Sequence, residues 1–377
     1  MHVLRWGTYD TGKPRTRILS AGMRAAGVEL NEIHALVWEG IDDKSQVRRF
    51  GVRVRLSATW LRAYPGLIWR LLRARRPDVI LVGYPGILDI FIAAFIGRLR
   101  CVPVVWDMFL SLYDTIVEDR QLLKPGSLRA RLLRWLEHRA VRCANLVFLD
   151  TQTHARRIES LFALPAGHCG AVWVGVETEH FAPTGGLPAG VGGRALRVLF
   201  YGQFIPLHGI GTIVESMRLL RDAPVEWMLI GRGQDASRIR AMIDADAVPR
   251  VRWTDWVKYD ELHGWISDAD LCLGIFGGSE KAASVIPNKV FQILAAGKPL
   301  VTRDSPAIRE LLEPRAFCTY LVPAENAEAL AAAVRTHLKS RSARRSQPCH
   351  SDVAARIDAA AIGRQFLTVV HQRLGIS

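Results

Sequence analysis

In the stretch SVIPNKVFQILAAGKPLV, residues 284–301, a lysine stands at the unfavourable end of a helix. The pattern predicts a loop, a short helix and a buried strand, with Pro287 at the helix start and Gly297 just past its end. Lys289 then falls in the first turn, where the macrodipole disfavours a cation by roughly a few tenths of a kcal/mol. The placement makes sense if something negative binds there. Free N–H groups, the dipole and a full positive charge together make an anion site. Lys281, in the preceding loop GGSEKAAS, can approach the same point. Gln292 lies three residues after Lys289 and shares its face, away from Val290, Phe291, Ile293 and Leu294, which should pack on the sheet. A phosphate with a hydroxyl-bearing group beside it suits this pair, because Gln292 can hydrogen-bond the hydroxyl.

Three glycine-bearing loops point the same way. YGQFIPLHGIGT (201–212) follows a strand and opens a helix, placing Gly202 and His208 beside a possible phosphate. LIGRGQDA (229–236) is a second strand-to-helix turn, with Gly231 and Gly233. YDTGKPRTR (9–17) is the equivalent loop after the first strand of the chain, where Gly12 would let backbone approach a ligand. Among acidic residues, Asp107 at the end of VPVVWDM and Asp114 in LSLYDT are the candidates for a cleft. Asp107 reads equally well as the cap of the next helix.

The elements that position these residues alternate. Apolar strand-like runs at 2–7, 28–36, 78–83, 102–108, 145–150 and 171–176 are separated by helical patterns such as 15–27 and 127–144. The glycine- and proline-rich APTGGLPAGVGG (182–193) reads as a linker, after which the alternation restarts with strands at 197–204, 225–231, 251–257, 271–276, 299–304 and 318–323. A helix is expected at 325–340 and another at roughly 351–374, beyond the run SRSARRSQ. This is an α/β chain of two doubly wound domains, 1–184 and 195–345, with ligands expected at strand carboxyl ends and in the cleft between the domains.

Composition narrows the class. The 377 residues are 49% apolar and 23% charged, an ordinary globular balance with room for two domains. VILVGYPGILDIFIAAFIG (79–97) is broken by Gly83, Pro85, Gly86 and Asp89, so it reads as strand, turn and buried helix rather than a membrane span. The six cysteines form no CxxC and read as reduced thiols, the histidines lack metal-site spacing, and no signal peptide is visible. Net charge is +14, and from Lys44 to Arg76 there are ten basic residues and no acidic one, interleaved with Trp60, Tyr64 and Trp69. That mixture suggests docking on an anionic membrane surface, and no nucleic-acid motif accompanies it. The expected location is cytoplasmic, peripheral at the inner face of the plasma membrane.

The order FYGQFIPLHG, LIGRGQD, ADLCLGIFG, VIPNKVFQILAAGKPLVTRD resembles the nucleotide-sugar-binding domain of retaining GT-B glycosyltransferases, glycosyltransferase family 4. TGKPRTR, ANLVFLDT and VGVETEHFAP carry the likeness into the first half. The resemblance implies two Rossmann-like domains facing across a cleft, the first for the acceptor, with 351–377 packing back onto it. It implies a nucleoside-diphosphate sugar donor, a lipid-linked or saccharide acceptor, and no cofactor or metal. The family's arginine and lysine after the first strand of the second domain correspond to Gln203 and His208 here. Its two glutamates eight residues apart correspond to Ser284 and Gln292, with Glu280 available nearby. Lys281 and Lys289 would then supply the charge at the diphosphate, and Asp107 would stand near the sugar. A nucleotide-sugar 2-epimerase and a degenerate nucleotide-sugar-binding subunit are the alternatives of the same fold.

Overall fold

The computed structural model describes residues 1–37, 50–183, 194–245, 248–340 and 348–376, with side chains in the second stretch described from Thr59 onward. Most of the expected linker, the run 341–347 and the start of the basic stretch lie outside the described residues. The chain divides into two compact units, Met1–Gly175 with Ala359–Ser377, and Val176–Asp358.

In the first unit the chain runs β1 (His2–Gly7), α1 (Pro14–Ala25), β2 (Glu29–His34), α2 (Phe50–Arg73), β3 (Val79–Val82), α3 (Asp89–Arg100) and β4 (Val104–Phe109). It continues through α4 (Leu128–Cys143), β5 (Leu146–Leu149), α5 (Gln152–Leu161) and β6 (Cys169–Ala171). The sheet is parallel throughout, in the order β2-β1-β3-β4-β5-β6. β3 and β5 are apolar on both faces because helices cover both, which is why they read as continuous hydrophobic runs. Leu67 and Leu71 of α2, Ile90 and Ile96 of α3, Val141 of α4 and Ile158 of α5 share one core cluster. Ile18 and Met23 of α1 pack on the opposite face.

The second unit repeats the plan with β7 (Leu196–Tyr201), α6 (Ile210–Leu219), β8 (Val225–Ile230), α7 (Ala236–Ala245), β9 (Val251–Thr254), α8 (Tyr259–Asp268) and β10 (Leu271–Leu273). There follow α9 (Glu280–Ser284), α10 (Asn288–Ala295), β11 (Leu300–Arg303), α11 (Pro306–Arg309), β12 (Thr319–Val322), α12 (Ala327–Lys339) and α13 (Ser351–Ile357). Its parallel sheet has the order β12-β11-β10-β7-β8-β9. The strand order reverses beside β7, so the crevice outside β7 and β10 is this sheet's topological switch point.

The structure departs from the sequence reading at identifiable places. The strand expected at 171–176 is shorter and earlier, Cys169–Ala171, and Val176 instead donates to the Ile357 carbonyl at 3.0 Å. The helix expected at 351–374 is two helices, because Asp358 is extended (ψ 166) between α13 and α14 (Ala359–Leu374). α13 packs on α10 in the second unit, while α14 returns to α1 in the first. The chain therefore passes from one unit to the other at 175/176 and 358/359, while the sequence reading draws boundaries at 184 and 351. Gly22 and Gly363 let α1 and α14 touch backbone to backbone; a Cβ on Gly363 would overlap the Gly22 carbonyl. Gly363→Ala is expected to cost about 1–3 kcal/mol, read as a lower denaturation midpoint.

Cys318 and Cys349, 31 residues apart with Cα atoms 5.5 Å apart, form a disulfide, which corrects the reading of all six cysteines as reduced thiols. The fold brings them together: Cys318 precedes β12, and Cys349 donates its N–H to the Gly297 carbonyl at the end of α10. Short-range spacing carries no sign of such a pair.

Candidate active site

Lys289 occupies the first turn of α10, after Pro287 at the N-cap. Far from reaching solvent, it is buried, with Nζ 3.7 Å from the centroid of the Phe200 ring and 3.4 Å from the Gly274 carbonyl oxygen. Among the described residues no carboxylate lies within ion-pair distance of Nζ. Burial alone pushes the amine's pKa well below the ordinary lysine value. An enclosed amine at a helix N-terminus, with aromatic rings and one carbonyl as company, is matched by an incoming anion.

The β7 loop closes over the same point. Gly202 has φ +138, and a Cβ there would sit 3.0 Å from both Lys289 Nζ and His208 Cε1. The two side chains thus flank one bare backbone position. Phe200 is shared between them, with the His208 ring 5.7 Å away, edge to face. The His208 Nδ1–H donates to the Gln203 carbonyl, which presents Nε2 as the ring's other polar atom. Gln203 itself is exposed and enters this cluster through its carbonyl.

Gln292 is held within the unit. Its Oε1 accepts from the Tyr201 hydroxyl at 3.0 Å, and that hydroxyl also lies 3.2 Å from the Lys289 carbonyl. Burial keeps the Tyr201 phenol protonated well above its ordinary range, so it acts as a donor. Tyr201 therefore ties the end of β7 to the first turn of α10 and fixes the Gln292 amide. Of this frame the sequence reading missed Phe200 and Tyr201, taking them as strand residues; their position at the carboxyl end of the switch strand was the available signal.

Lys281 and Ser284 are not on a loop. GGSEKAAS contains α9, capped by the Ser279 hydroxyl, which accepts from the Ala282 N–H at 3.1 Å. Lys281 and Ser284 are buried and Glu280 is exposed. Ser284 donates to the Glu280 carbonyl at 2.7 Å, so its hydroxyl is occupied inside the helix. Two further residues missed in sequence hold the segment before α9. Arg303, at the end of β11, donates to the Gly277 and Ser279 carbonyls, and Glu325 accepts from the Gly278 N–H at 3.2 Å.

Gly231 and Gly233 are packed closely against the β7 loop. A Cβ on Gly231 would overlap the Gly202 carbonyl and the Phe204 ring, and one on Gly233 would overlap the Phe204 backbone. Phe204 N–H donates to Arg232 O at 2.9 Å and Asp235 N–H to Phe204 O at 3.0 Å. The two glycines let the β8 loop zip onto the β7 loop, Gly231 against Gly202 and Gly233 against Phe204.

The first unit has its own features at strand carboxyl ends. Gly12 is exposed; its N–H donates to Asp10 Oδ1 at 2.9 Å and its carbonyl accepts from Arg17 at 2.6 Å. Asp107 is neither open to a ligand nor a helix cap. It is fully buried, and its Oδ1 accepts from Arg15 Nε at 2.8 Å. Arg15 also donates to the Val172 carbonyl and lies against Phe109 and Phe148. Asp114 is likewise buried and paired with Arg157 at 2.7 Å. Asp107→Asn is expected to destabilise the fold by about 3–5 kcal/mol, because Arg15 is left buried without its counter-charge; thermal melting reads this directly. No group of three or more His, Cys, Asp or Glu residues among the described residues could hold a metal ion.

With this geometry in view, the comparisons with known proteins fall into place. Residues 12–172 match the family described as glycosyl transferase 4-like domain, and residues 195–340 match glycosyl transferases group 1. The chain thus matches, in order, two glycosyl transferase domain descriptions, one in each half. It is 25% identical over 177 residues to the Escherichia coli protein WcaI, named for glycosyl transfer in colanic acid biosynthesis. That match covers 45% of this chain and 42% of the relative, so it spans less than half of either. The fold is that of the sucrose-phosphate synthase of Thermosynechococcus elongatus, with TM-score 0.72, 16% identity and full coverage of both chains. It is also that of HepE of Anabaena, solved in complex with UDP, with TM-score 0.67, 13% identity and coverage of 99% of this chain and 100% of HepE.

Proposed function

We propose that the chain transfers a hexose-type sugar from a nucleoside-diphosphate sugar to a lipid-linked saccharide or cell-surface polysaccharide precursor, with retention and without a metal ion. The observation that carries this reading is the buried Lys289 amine, with no carboxylate partner among the described residues, at the N-terminus of α10 and beside the switch point of the second sheet. The diphosphate would sit against Lys289 Nζ, the first N–H groups of α10 and the bare Gly202 backbone, with His208 beside it. As the bond between the anomeric carbon and the phosphate oxygen breaks, both electrons leave with the diphosphate. These groups stabilise that charge, a term typically worth about 2.7–4 kcal/mol per well-placed donor. The acceptor oxygen bonds the anomeric carbon and its proton passes to the departing phosphate, so no strong protein base is required. Two comparisons support the reading: the relative named for colanic acid biosynthesis, and the UDP complex of HepE. The basic stretch 44–76 would bring the enzyme, from the cytoplasmic side, to anionic lipid or to a diphospholipid acceptor.

The test incubates the full chain with radiolabelled UDP-, GDP-, dTDP- and ADP-hexoses and an extract of bacterial lipid-linked acceptors. Label moving into the lipid fraction from one donor is the expected result. Label found only in an epimerised sugar nucleotide, or bound donor that never turns over, contradicts transfer and points to the epimerase or to the binding subunit.

A further inference from the structure

We infer that the outer faces of α3 and α4, together with α2, form one continuous docking surface for an anionic lipid bilayer. This rests on the membrane part of the proposed function and places the contact well beyond residues 44–76. The three helices bury their inner sides in the same core cluster on the same face of the first sheet, so their outer sides form one layer. α3 and α4 touch directly.

That layer is apolar where a solvated face should not be. Trp69 of α2 is 55% exposed, Phe95 and Leu99 of α3 are 63% and 66% exposed, and Leu132 and Trp135 of α4 are 63% and 57% exposed. Single exposed leucines are commonplace, but five large apolar residues on three helices of one layer mark an interaction surface. Their spacing is helical: Phe95 and Leu99 lie four residues apart, and Leu132 and Trp135 three apart, so each pair lies on one stripe.

The charge around them selects the occupant. Arg73 stacks over Trp69 at 4.5 Å and Arg139 lies 5.9 Å from the Trp135 ring centroid, while Arg98 and Arg131 are exposed beside the stripes. The three helices contain just two carboxylates, Asp89 and Glu137, and both are turned inward. Asp89 accepts from the Thr8 N–H and the Tyr64 hydroxyl. Glu137 accepts from the Ser111 hydroxyl and from the N–H groups of Leu112 and Tyr113. Among the described residues, the outer sides of the three helices are therefore cationic and apolar and carry no carboxylate of their own. A second copy of the chain would bring the same arginines against these. An anionic bilayer takes the aromatic and leucine side chains into its interface while the guanidinium groups reach the phosphates.

The test is vesicle flotation of the full chain with phosphatidylcholine vesicles, with and without phosphatidylglycerol, comparing the wild type with the double variant Phe95→Glu/Trp135→Glu. This variant leaves residues 44–76 untouched. The expected result is binding only to the anionic vesicles, reduced roughly tenfold or more by the double variant, with unchanged melting and nucleotide binding. Anionic-vesicle binding by the double variant equal to wild type overturns the inference while leaving the basic stretch as the membrane contact. Failure of the wild type to bind anionic vesicles overturns both. A wild-type dimer in sedimentation velocity without lipid, dissolved by the double variant, overturns the inference in favour of self-association.

Discussion

Replacing Lys289 by methionine is expected to abolish nucleoside-diphosphate binding while leaving the folded protein at least as stable. The amine is buried, and desolvation alone depresses its pKa. Methionine of similar length fills the space beside Phe200 without a buried polar group, so the unliganded protein gains or holds its melting temperature. Affinity should fall roughly a hundredfold or more, the usual consequence of deleting a charged partner from an enclosed anion site. The same amine gives binding a pH signature. In the free protein the depressed pKa means that the unfolded chain holds the proton more tightly than the folded one. Between the depressed value and 10.5, Lys289 therefore contributes stability that rises with pH. A bound diphosphate reverses the preference by stabilising the ammonium. Binding in that window takes up a proton, and affinity weakens as pH rises. Calorimetry in two buffers of different ionisation enthalpy reads the uptake, and Lys289→Met should remove it.

Gly202→Ala is expected to damage both affinity and stability, in contrast to Lys289→Met. The backbone there has φ +138, and a Cβ would lie 3.0 Å from Lys289 Nζ and from His208 Cε1. Strain of this kind costs about 1–3 kcal/mol. The methyl group would also occupy the one bare position between the two side chains, so binding should fall at least tenfold, by roughly 1.4 kcal/mol or more. A melting curve and a nucleotide titration of the same variant separate the two effects. Normal affinity in Gly202→Ala would show that the ligand does not use the space between Lys289 and His208.

The sequence carried a good deal of this. Strand–helix alternation gave both sheets, because parallel strands covered on both faces must be apolar along their length. Lys289 was legible because a cation at a helix N-terminus conflicts with the dipole. Other features depended on contacts between distant segments. Gly231 and Gly233 look like phosphate-loop glycines, yet their missing Cβ atoms make room for Gly202 and Phe204. Asp107 looks like a cleft acid, but Arg15, 92 residues away in the chain, claims it in the interior. Gln292 reads from the sequence as a residue presented beside Lys289, and only the fold reveals that it is buried with its amide fixed by Tyr201. The break at Asp358 was hidden because α13 and α14 share one amphipathic pattern while packing on different units. The apolar outer face of α3 and α4 escaped notice because exposure, unlike periodicity, belongs to the assembled layer.

The measurement that bears most directly on the central claim is calorimetric titration of the wild-type chain with UDP, GDP, dTDP and ADP, with Lys289→Met alongside. Selective binding of one nucleotide, with proton uptake that the substitution removes, is the result expected of an anion site built on Lys289. No binding of any nucleotide, or binding that Lys289→Met leaves unchanged, would contradict it.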